Sequence, residues 1–496
     1  MSEAILAIDQ GTTSSRAIVF SAEGEILTSA QEEFPQIYPA DGYVEHDPQA
    51  IWSSVLSTAR SAMDNATRDG HQIIGLGITN QRETVVLWDR ATGAPLHNAI
   101  VWQDRRTADV CQALVDAGHE PLVQERSGLL IDPYFSATKI AWLLDNVAGA
   151  RGRAEAGDLA VGTIDSWLLW NLTGGKAHAT DATNACRTSL FGLKAQDWDD
   201  ELLELFRVPR ALLPDVRDSA ADFGLTAAGV FDQSIPILSV IGDQQGAAVG
   251  QGCFKPGQMK STYGTGCFIV VNTGNEIKPS AHRLLSTVAY RIDGEPTFAV
   301  EGSIFIAGAA VQWLRDEMGV LENAAETANR AARAQPDAEV VMVPAFTGMG
   351  APYWSPHARA AVFGMTRSTG PDELARAALE GVVYQTHDLL QAIEADGLTT
   401  ERLSVDGGMA ANDWFVQRLA DIAAIDVDRP KVLETTALGA SNLAFLQAGR
   451  FSSLNALASY QEKERTFQPF MDEDERKMRL ERWRRCVDAV LAIAQH

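Results

Sequence analysis

The feature that most constrains this chain is a hairpin at its start, Ala-Ile-Leu-Ala-Ile-Asp-Gln-Gly-Thr-Thr-Ser-Ser-Arg-Ala-Ile-Val-Phe over residues 4–20. The apolar run Ile5–Ile8 reads as a buried strand that stops at one carboxylate, Asp9. Gly11 then opens a tight turn of small hydroxyl residues, Thr12, Thr13, Ser14 and Ser15. Ala17–Phe20 returns as a second strand, and Glu23-Gly24-Glu25 turns the chain into a third. A tip of Gly, Ser and Thr offers N–H groups and hydroxyls to an anion without side-chain bulk, which is what a polyphosphate needs. Arg16 is a candidate clamp, and Asp9 a candidate to hold Mg²⁺ through its waters. An ordinary hairpin with a hydrophilic tip fits the same residues. No Gly-x-x-x-x-Gly-Lys-Ser/Thr and no complete Gly-x-Gly-x-x-Gly occurs, so phosphate on a strand-to-helix loop is not indicated.

About half a chain later, Met259-Lys-Ser-Thr-Tyr-Gly264-Thr265-Gly-Cys-Phe268-Ile-Val-Val-Asn repeats the pattern of strand, Gly-Thr tip and apolar strand. Two like units, each opening with such a hairpin, would face each other across a cleft; a coincidental second hairpin is the competing reading. Phosphate held on hairpins points to an α/β fold of two actin-like (ribonuclease H-like) ATPase domains across a catalytic cleft, divided as residues 1–249 and 250–496. A net charge of −24 argues against nucleic acid or an anionic membrane as main partner. Five scattered cysteines without Cys-x-x-Cys spacing suit reduced thiols, and no apolar run approaches ~18 residues. The N-terminus shows no targeting signal, so a cytoplasmic protein without membrane insertion is expected.

Candidate site residues fall where apolar runs end. Ile73–Ile78 leads into Thr79-Asn-Gln-Arg82-Glu83-Thr, where one guanidinium and one carboxylate could donate to and accept from the hydroxyls of a polyol; a surface ion pair is the alternative. Trp102, after Ala99-Ile-Val, could be core or could pack on a ligand's carbon face, and Tyr134 precedes a helix and could aim its phenol into the same space. Ile235–Gly242 ends at Asp243, a candidate general base or else a helix N-cap. A helix over 304–318 carries Gly308 and Gln312, and Asp406-Gly407-Gly408-Met-Ala-Ala-Asn412 is a strand and diglycine turn that lets adenine or phosphate approach the backbone.

These runs together resemble the FGGY family of carbohydrate kinases, and within it the branch that phosphorylates glycerol. The resemblance rests on Asp9-Gln-Gly-Thr-Thr-Ser-Ser-Arg16, Asn80-Gln-Arg-Glu-Thr84, Trp102-Gln-Asp-Arg-Arg-Thr107, Gly242-Asp-Gln-Gln245, Thr262-Tyr-Gly-Thr-Gly266, Gly350-Ala-Pro-Tyr-Trp354 and Asp406-Gly-Gly408, which span nearly the whole sequence. It implies that Arg82, Glu83, Tyr134 and Asp243 hold glycerol's hydroxyls, with Gln244 beside them and Trp102 and Phe268 against its carbons. It further implies Thr12, Thr13, Ser14, Arg16 and Thr265 on ATP phosphates, Gly308, Gln312, Gly408 and Asn412 at the nucleoside, and Asp9 serving Mg²⁺. The implied reaction is MgATP plus glycerol giving ADP and sn-glycerol 3-phosphate by in-line transfer to a hydroxyl deprotonated by Asp243, the first step of glycerol catabolism. A homo-oligomer, dimer or tetramer, is also implied. Another FGGY kinase acting on a sugar or longer polyol, a non-catalytic actin-like ATP-binding scaffold and an actin-like chaperone ATPase are the rival readings.

One departure from the family has a consequence for regulation. Some bacterial members carry Gly-Gly-x-Gly-Gly-x-Arg, a loop for fructose 1,6-bisphosphate, ahead of the strand leading to the catalytic Asp. Residues 226–236 here read Thr-Ala-Ala-Gly-Val-Phe-Asp-Gln-Ser-Ile-Pro, with no Lys or Arg and one carboxylate, Asp232. Two phosphates need convergent cations or free N–H groups. Millimolar fructose 1,6-bisphosphate is therefore expected to leave glycerol phosphorylation unchanged at saturating MgATP with Mg²⁺ in excess; non-competitive inhibition would contradict this.

Overall fold

The computed structural model describes residues 2–458 and 462–494. The opening run becomes the strand Ser2–Gln10, at the centre of a five-stranded sheet. From one edge the strands are Ile26–Glu33, Ser14–Ser21, Ser2–Gln10, His71–Asn80 and Ile237–Gly242. The first two pairings are antiparallel and the last two parallel. Side chains alternate across the pleat: Ala4, Leu6 and Ile8 pack with Ile51, Val55 and Ala59 of the helix Pro48–Arg68. Ile5, Ala7, Ile18 and Phe20 face the other way, onto Ala437, Leu438, Ala444 and Phe445 of the helix Thr435–Gln447. A sheet covered on both faces explains why its central strand is apolar throughout. Asp47 caps the helix Pro48–Arg68, its Oδ1 accepting from the Gln49 N–H at 2.9 Å.

The second sheet has seven strands, and its inner part repeats the first. Glu295–Ile304, Cys267–Gly274, Met259–Tyr263, Arg402–Asp406 and Asp426–Pro430 lie in the same spatial order, again with two antiparallel and then two parallel pairings. The repeat seen in the sequence is thus a repeat of strand order and direction. One detail differs: the neighbour of Cys267–Gly274 is not the next strand in sequence, Leu285–Ile292, which lies outside Glu295–Ile304.

Several element ends follow from local chemistry. The run from Val341 to Phe346 is a strand only over Val341–Val343, because Pro344 has no N–H for the ladder. The helix after Asp132 begins at Ser136. The charge-rich C-terminal helix extends over Glu473–Ala494 and buries Trp483. Among the described residues no helix is long and apolar enough to cross a membrane.

The two sheets are joined by an exchange of helices. Asp243–Gly250 follows the last strand of the first sheet, yet Ala248 and Val249 pack with Val270 and Ala289 of the second. Thr435–Gln447 follows the second sheet's parallel strands but covers the first, where Ser239 Oγ donates to the Ala440 carbonyl at 2.7 Å. The helices cross where a side chain has no room: a Cβ on Gly439 would press into the Gly246 carbonyl, and one on Gly250 into the Thr435 carbonyl. In an isolated helix Gly→Ala is favourable by about 1 kcal/mol. Here overpacking, typically about 1–3 kcal/mol, dominates. Gly439→Ala is expected to lower the urea midpoint; a raised midpoint would show that the crossing is not tight.

Candidate active site

A small cavity of about 160 Å³ opens between the two sheets, lined by residues of both hairpins and of the strand ends beside them. Thr12 comes from the first hairpin, and Thr262, Gly264, Thr265, Gly266 and Phe268 from the second; Arg82, Glu83, Trp102, Tyr134, Asp243 and Gln244 complete the wall. All seven residues expected to touch a polyol therefore converge on one space. Arg82 and Glu83 are not a surface pair: their side chains are each 2 % exposed.

One wall is ionic. Arg82 donates from Nη1 and Nη2 to the two Glu301 carboxylate oxygens at 2.5 and 3.2 Å, and its Nε lies 3.0 Å from Asp243 Oδ1. Arg187 donates from Nη2 to Glu301 Oε1 at 2.8 Å and from Nε to Glu83 Oε1 at 2.7 Å. Burial opposes ionisation of Glu301, but Arg187 and Arg82 outweigh it and hold its pKa below the ordinary carboxylate value. Glu83 is shifted the other way, upward, because burial exceeds what the two guanidiniums restore. Glu83 also has φ 61°, a left-handed conformation unusual for a non-glycine residue, and its carbonyl accepts from Ser136 Oγ at 2.9 Å.

Aromatic rings complete the lining and touch the ionic groups: Arg82 Nη2 donates to the Tyr134 hydroxyl at 3.4 Å, and its guanidinium lies 5.8 Å from the Phe268 ring centroid. Trp102 meets Tyr134 and Phe268 edge-on, with ring centroids 5.6 and 6.2 Å apart. Its indole N–H donates to Thr12 Oγ1 at 3.0 Å, which ties this wall to the first hairpin. Trp102 is therefore a cavity residue and not core.

Asp243 is the first residue of its helix, with Gly242 as the cap, so the cap reading does not describe it. Its Oδ1 accepts from the Gln244 N–H at 2.7 Å, and its side chain stays 30 % exposed, open to the cavity. Burial raises its pKa above the usual Asp value, against the opposing charges of Arg82 and Lys260. Asp9 pairs in register with Arg16 across the hairpin; burial, with Glu434 and Asp243 nearby, pushes its pKa up to about 7. Arg16 is not a free clamp, since it forms an ion pair with Glu434.

Each hairpin tip is closed by a glycine N–H at 2.9 Å, but over different lengths: Gly11 donates to the Ser14 carbonyl three residues on, and Gly264 to the Gly266 carbonyl two residues on. Thr13 and Thr265 are exposed at the tips, and Ser14 Oγ accepts from Gln31 at 3.0 Å. Gly308 begins its helix against the second tip, donating to the Gly264 carbonyl at 2.9 Å. Gly407 has φ +85° and packs on the backbone of Tyr263, which leaves Gly408 exposed. Gln312 is exposed on the helix Gly308–Asp316. Asn412 caps the helix Asp413–Ala423 and donates to Thr327 Oγ1 at 3.2 Å. Gly308, Gln312, Gly408 and Asn412 all lie in the second half, outside the cavity wall.

Sequence reasoning missed Glu301, Arg187, Lys260 and Gln245, which donate to or accept from the residues it found. Glu301 and Lys260 lie within strands, where a lone charge reads as a solvent-facing position. Only the central placement of those strands buries them. Arg187 follows the short helix Ala182–Ala185 and carries no local signal.

The sequence matches the N-terminal domain of the FGGY family of carbohydrate kinases over residues 4–250 and the C-terminal domain over residues 259–448. It is 59 % identical over 483 residues to a glycerol kinase of Rhodospirillum centenum, covering 97 % of each chain. To a glycerol kinase of Methylobacterium nodulans it is 57 % identical over 496 residues, covering 99 % of each. The crystal structure of Plasmodium falciparum glycerol kinase with ADP superposes with a TM-score of 0.91 at 34 % identity, over 99 % of this chain and 98 % of that one. A xylulose kinase of Lactobacillus acidophilus, with a TM-score of 0.87 but 20 % identity over 99 % of this chain and 98 % of its own, shares the fold. Two paired hairpins, a shared cleft and matches in both halves lead to one conclusion: this chain belongs to the FGGY family of carbohydrate kinases.

Proposed function

We propose that the chain transfers the γ-phosphoryl group of ATP to a terminal hydroxyl of glycerol, giving ADP and sn-glycerol 3-phosphate. The observation that carries this reading is one small cavity whose lining combines ionic groups, Arg82, Glu83 and Asp243, with the rings of Trp102 and Phe268. Glycerol has hydroxyls for the ionic groups and a short carbon skeleton for the rings, and the similarity to glycerol kinases supports the choice over a larger sugar.

Arg82 donates to one hydroxyl, Glu83 accepts from another and Tyr134 offers its phenol, while Trp102 and Phe268 exclude water from the carbon face. The reacting hydroxyl lies beside Asp243, which takes its proton as the oxygen attacks phosphorus. Thr12, Thr13, Ser14 and Thr265 receive the triphosphate between the tips, and Arg16 exchanges Glu434 for a phosphate oxygen. Gly308, Gln312, Gly408 and Asn412 take the nucleoside. Among the described residues no cluster of three or more His, Cys, Asp or Glu could hold a metal alone. Asp9 is a single hard oxygen donor near hydroxyls, which fits Mg²⁺ carried mainly by phosphates and water. When bound, that ion supplies charge neutralisation at the transferring phosphoryl group. The protein's share is positioning and preorganised charge in a water-poor cleft.

Asp243→Asn keeps the shape of the base but cannot accept a proton. It is expected to lower kcat by about 10²–10⁴-fold while glycerol and ATP still bind by calorimetry. Activity within a few-fold of the unmodified enzyme would remove Asp243 from this role.

The pH profile gives an independent check. The base works ionised, and its pKa lies above the ordinary Asp value of about 3.9. As pH falls through that raised pKa, kcat/KM for glycerol falls, so the acid limb belongs above the usual Asp range. A limb at or below about 3.9 would contradict the assignment.

A further inference from the structure

Lys260 is fully buried in the strand Met259–Tyr263, in the middle of the second sheet. Its Nζ donates to Gln244 Oε1 at 2.5 Å, Thr262 Oγ1 at 2.8 Å and the Phe268 carbonyl at 3.4 Å. These three bonds use all the donors of an ammonium group. The acceptors belong to two different parts of the cleft. Gln244 is the second residue of the helix that begins with Asp243, whereas Thr262 and Phe268 stand on the two arms of the second hairpin. All three residues line the cavity, so the ammonium lies just behind its wall.

An apolar side chain would fill this place without the loss of hydration that a buried cation suffers. The charges around Lys260 indicate what the cation does there. Burial lowers its pKa; the carboxylates of Asp406 on the strand Arg402–Asp406, Asp243 at the helix start and Glu301 on Glu295–Ile304 favour its charge, while Arg82, in the turn after His71–Asn80, opposes it. Asp243 in turn is faced by Arg82, Lys260 and Glu301, with Asp9 also near it. Two cations thus oppose protonation of Asp243, and one of them, Arg82, is the group that turns to a substrate hydroxyl.

We propose that Lys260 is a positioning residue for phosphoryl transfer, locking Gln244 and the second hairpin to the start of the base-bearing helix while Arg82 engages substrate. This rests on the reading of Asp243 as the base. Lys260 does not touch the substrate; it fixes the residues that do.

The test measures glycerol-dependent ADP release by the full chain and by Lys260→Met and Lys260→Arg across pH. For Lys260→Met, kcat is expected to fall about 10-fold or more while KM for ATP changes little. The acid limb of kcat/KM for glycerol is expected to rise by about one pH unit, because a positive charge beside the carboxylate is gone. Lys260→Arg restores the limb but not kcat, since a planar fork cannot repeat donation to three converging acceptors. An unmoved limb in Lys260→Met, or kcat within about 3-fold of the unmodified enzyme, would overturn the proposal. Should Lys260→Met not fold, Lys260→Gln removes the charge but keeps a donor and carries the same pH measurement. Failure of both neutral variants to fold would assign Lys260 to stability and overturn its positioning role. If the unmodified chain releases no ADP with glycerol, the parent reading falls first and this one with it.

Discussion

The arrangement of the cleft depends on one buried ionic cluster, in which Glu301 from the second sheet holds both Arg82 and Arg187 from the first half. Removing a charged side chain from water costs several kcal/mol even after relaxation, so such a cluster persists only if every member finds an opposite partner in good geometry. Arg82 and Arg187 are paired with Glu83, Glu301 and Asp243, and the Lys260 ammonium, bonded to Gln244, Thr262 and the Phe268 carbonyl, stands behind them. Bringing these six together requires five separate chain segments to meet at one point: the turn at Arg82, the loop at Arg187, the helix start at Asp243, and the strands of Lys260 and Glu301. The left-handed backbone at Glu83 costs about 1–3 kcal/mol, and the bonds from Arg187 and Ser136 hold it in place. The cavity is in this sense a by-product of charge neutralisation between the halves.

What could be read from the sequence was what is written locally. The Gly-Thr tips, the strand-end positions of Arg82, Glu83 and Asp243, and the repeat near Gly264 all survive in the structure because tight turns and buried runs have short-range signatures. Glu301, Arg187 and Lys260 escaped because their burial is decided by neighbours far away in sequence. A charge in a strand reads as solvent-facing until the sheet is known. The same limit hid the Arg16–Glu434 pair, whose partners lie near opposite ends of the chain. The place of Glu295–Ile304 beside Cys267–Gly274 was equally hidden, since the order of antiparallel strands is not written in any one of them.

The fold alone does not choose the substrate. The xylulose kinase of Lactobacillus acidophilus shares the architecture at low identity, so hairpins and sheets by themselves describe only the fold. On the function proposed above, selectivity would belong to the cavity wall that Trp102, Tyr134 and Phe268 help to form. The tie from the Trp102 indole to Thr12 joins that wall to the first hairpin.

The exchange of helices between the sheets also bears on how the chain is made. The first sheet is complete once Ile237–Gly242 has been synthesised, but one of its faces waits for the helix Thr435–Gln447. Ser239 and Ala440, which join across that contact, are 201 residues apart. At about 5–20 residues per second, the ribosome leaves Ile5, Ala7, Ile18 and Phe20 uncovered for roughly 10–40 seconds. A nascent first half is therefore an apolar surface awaiting its lid, a natural client for a holding chaperone, and a poor candidate for expression by itself.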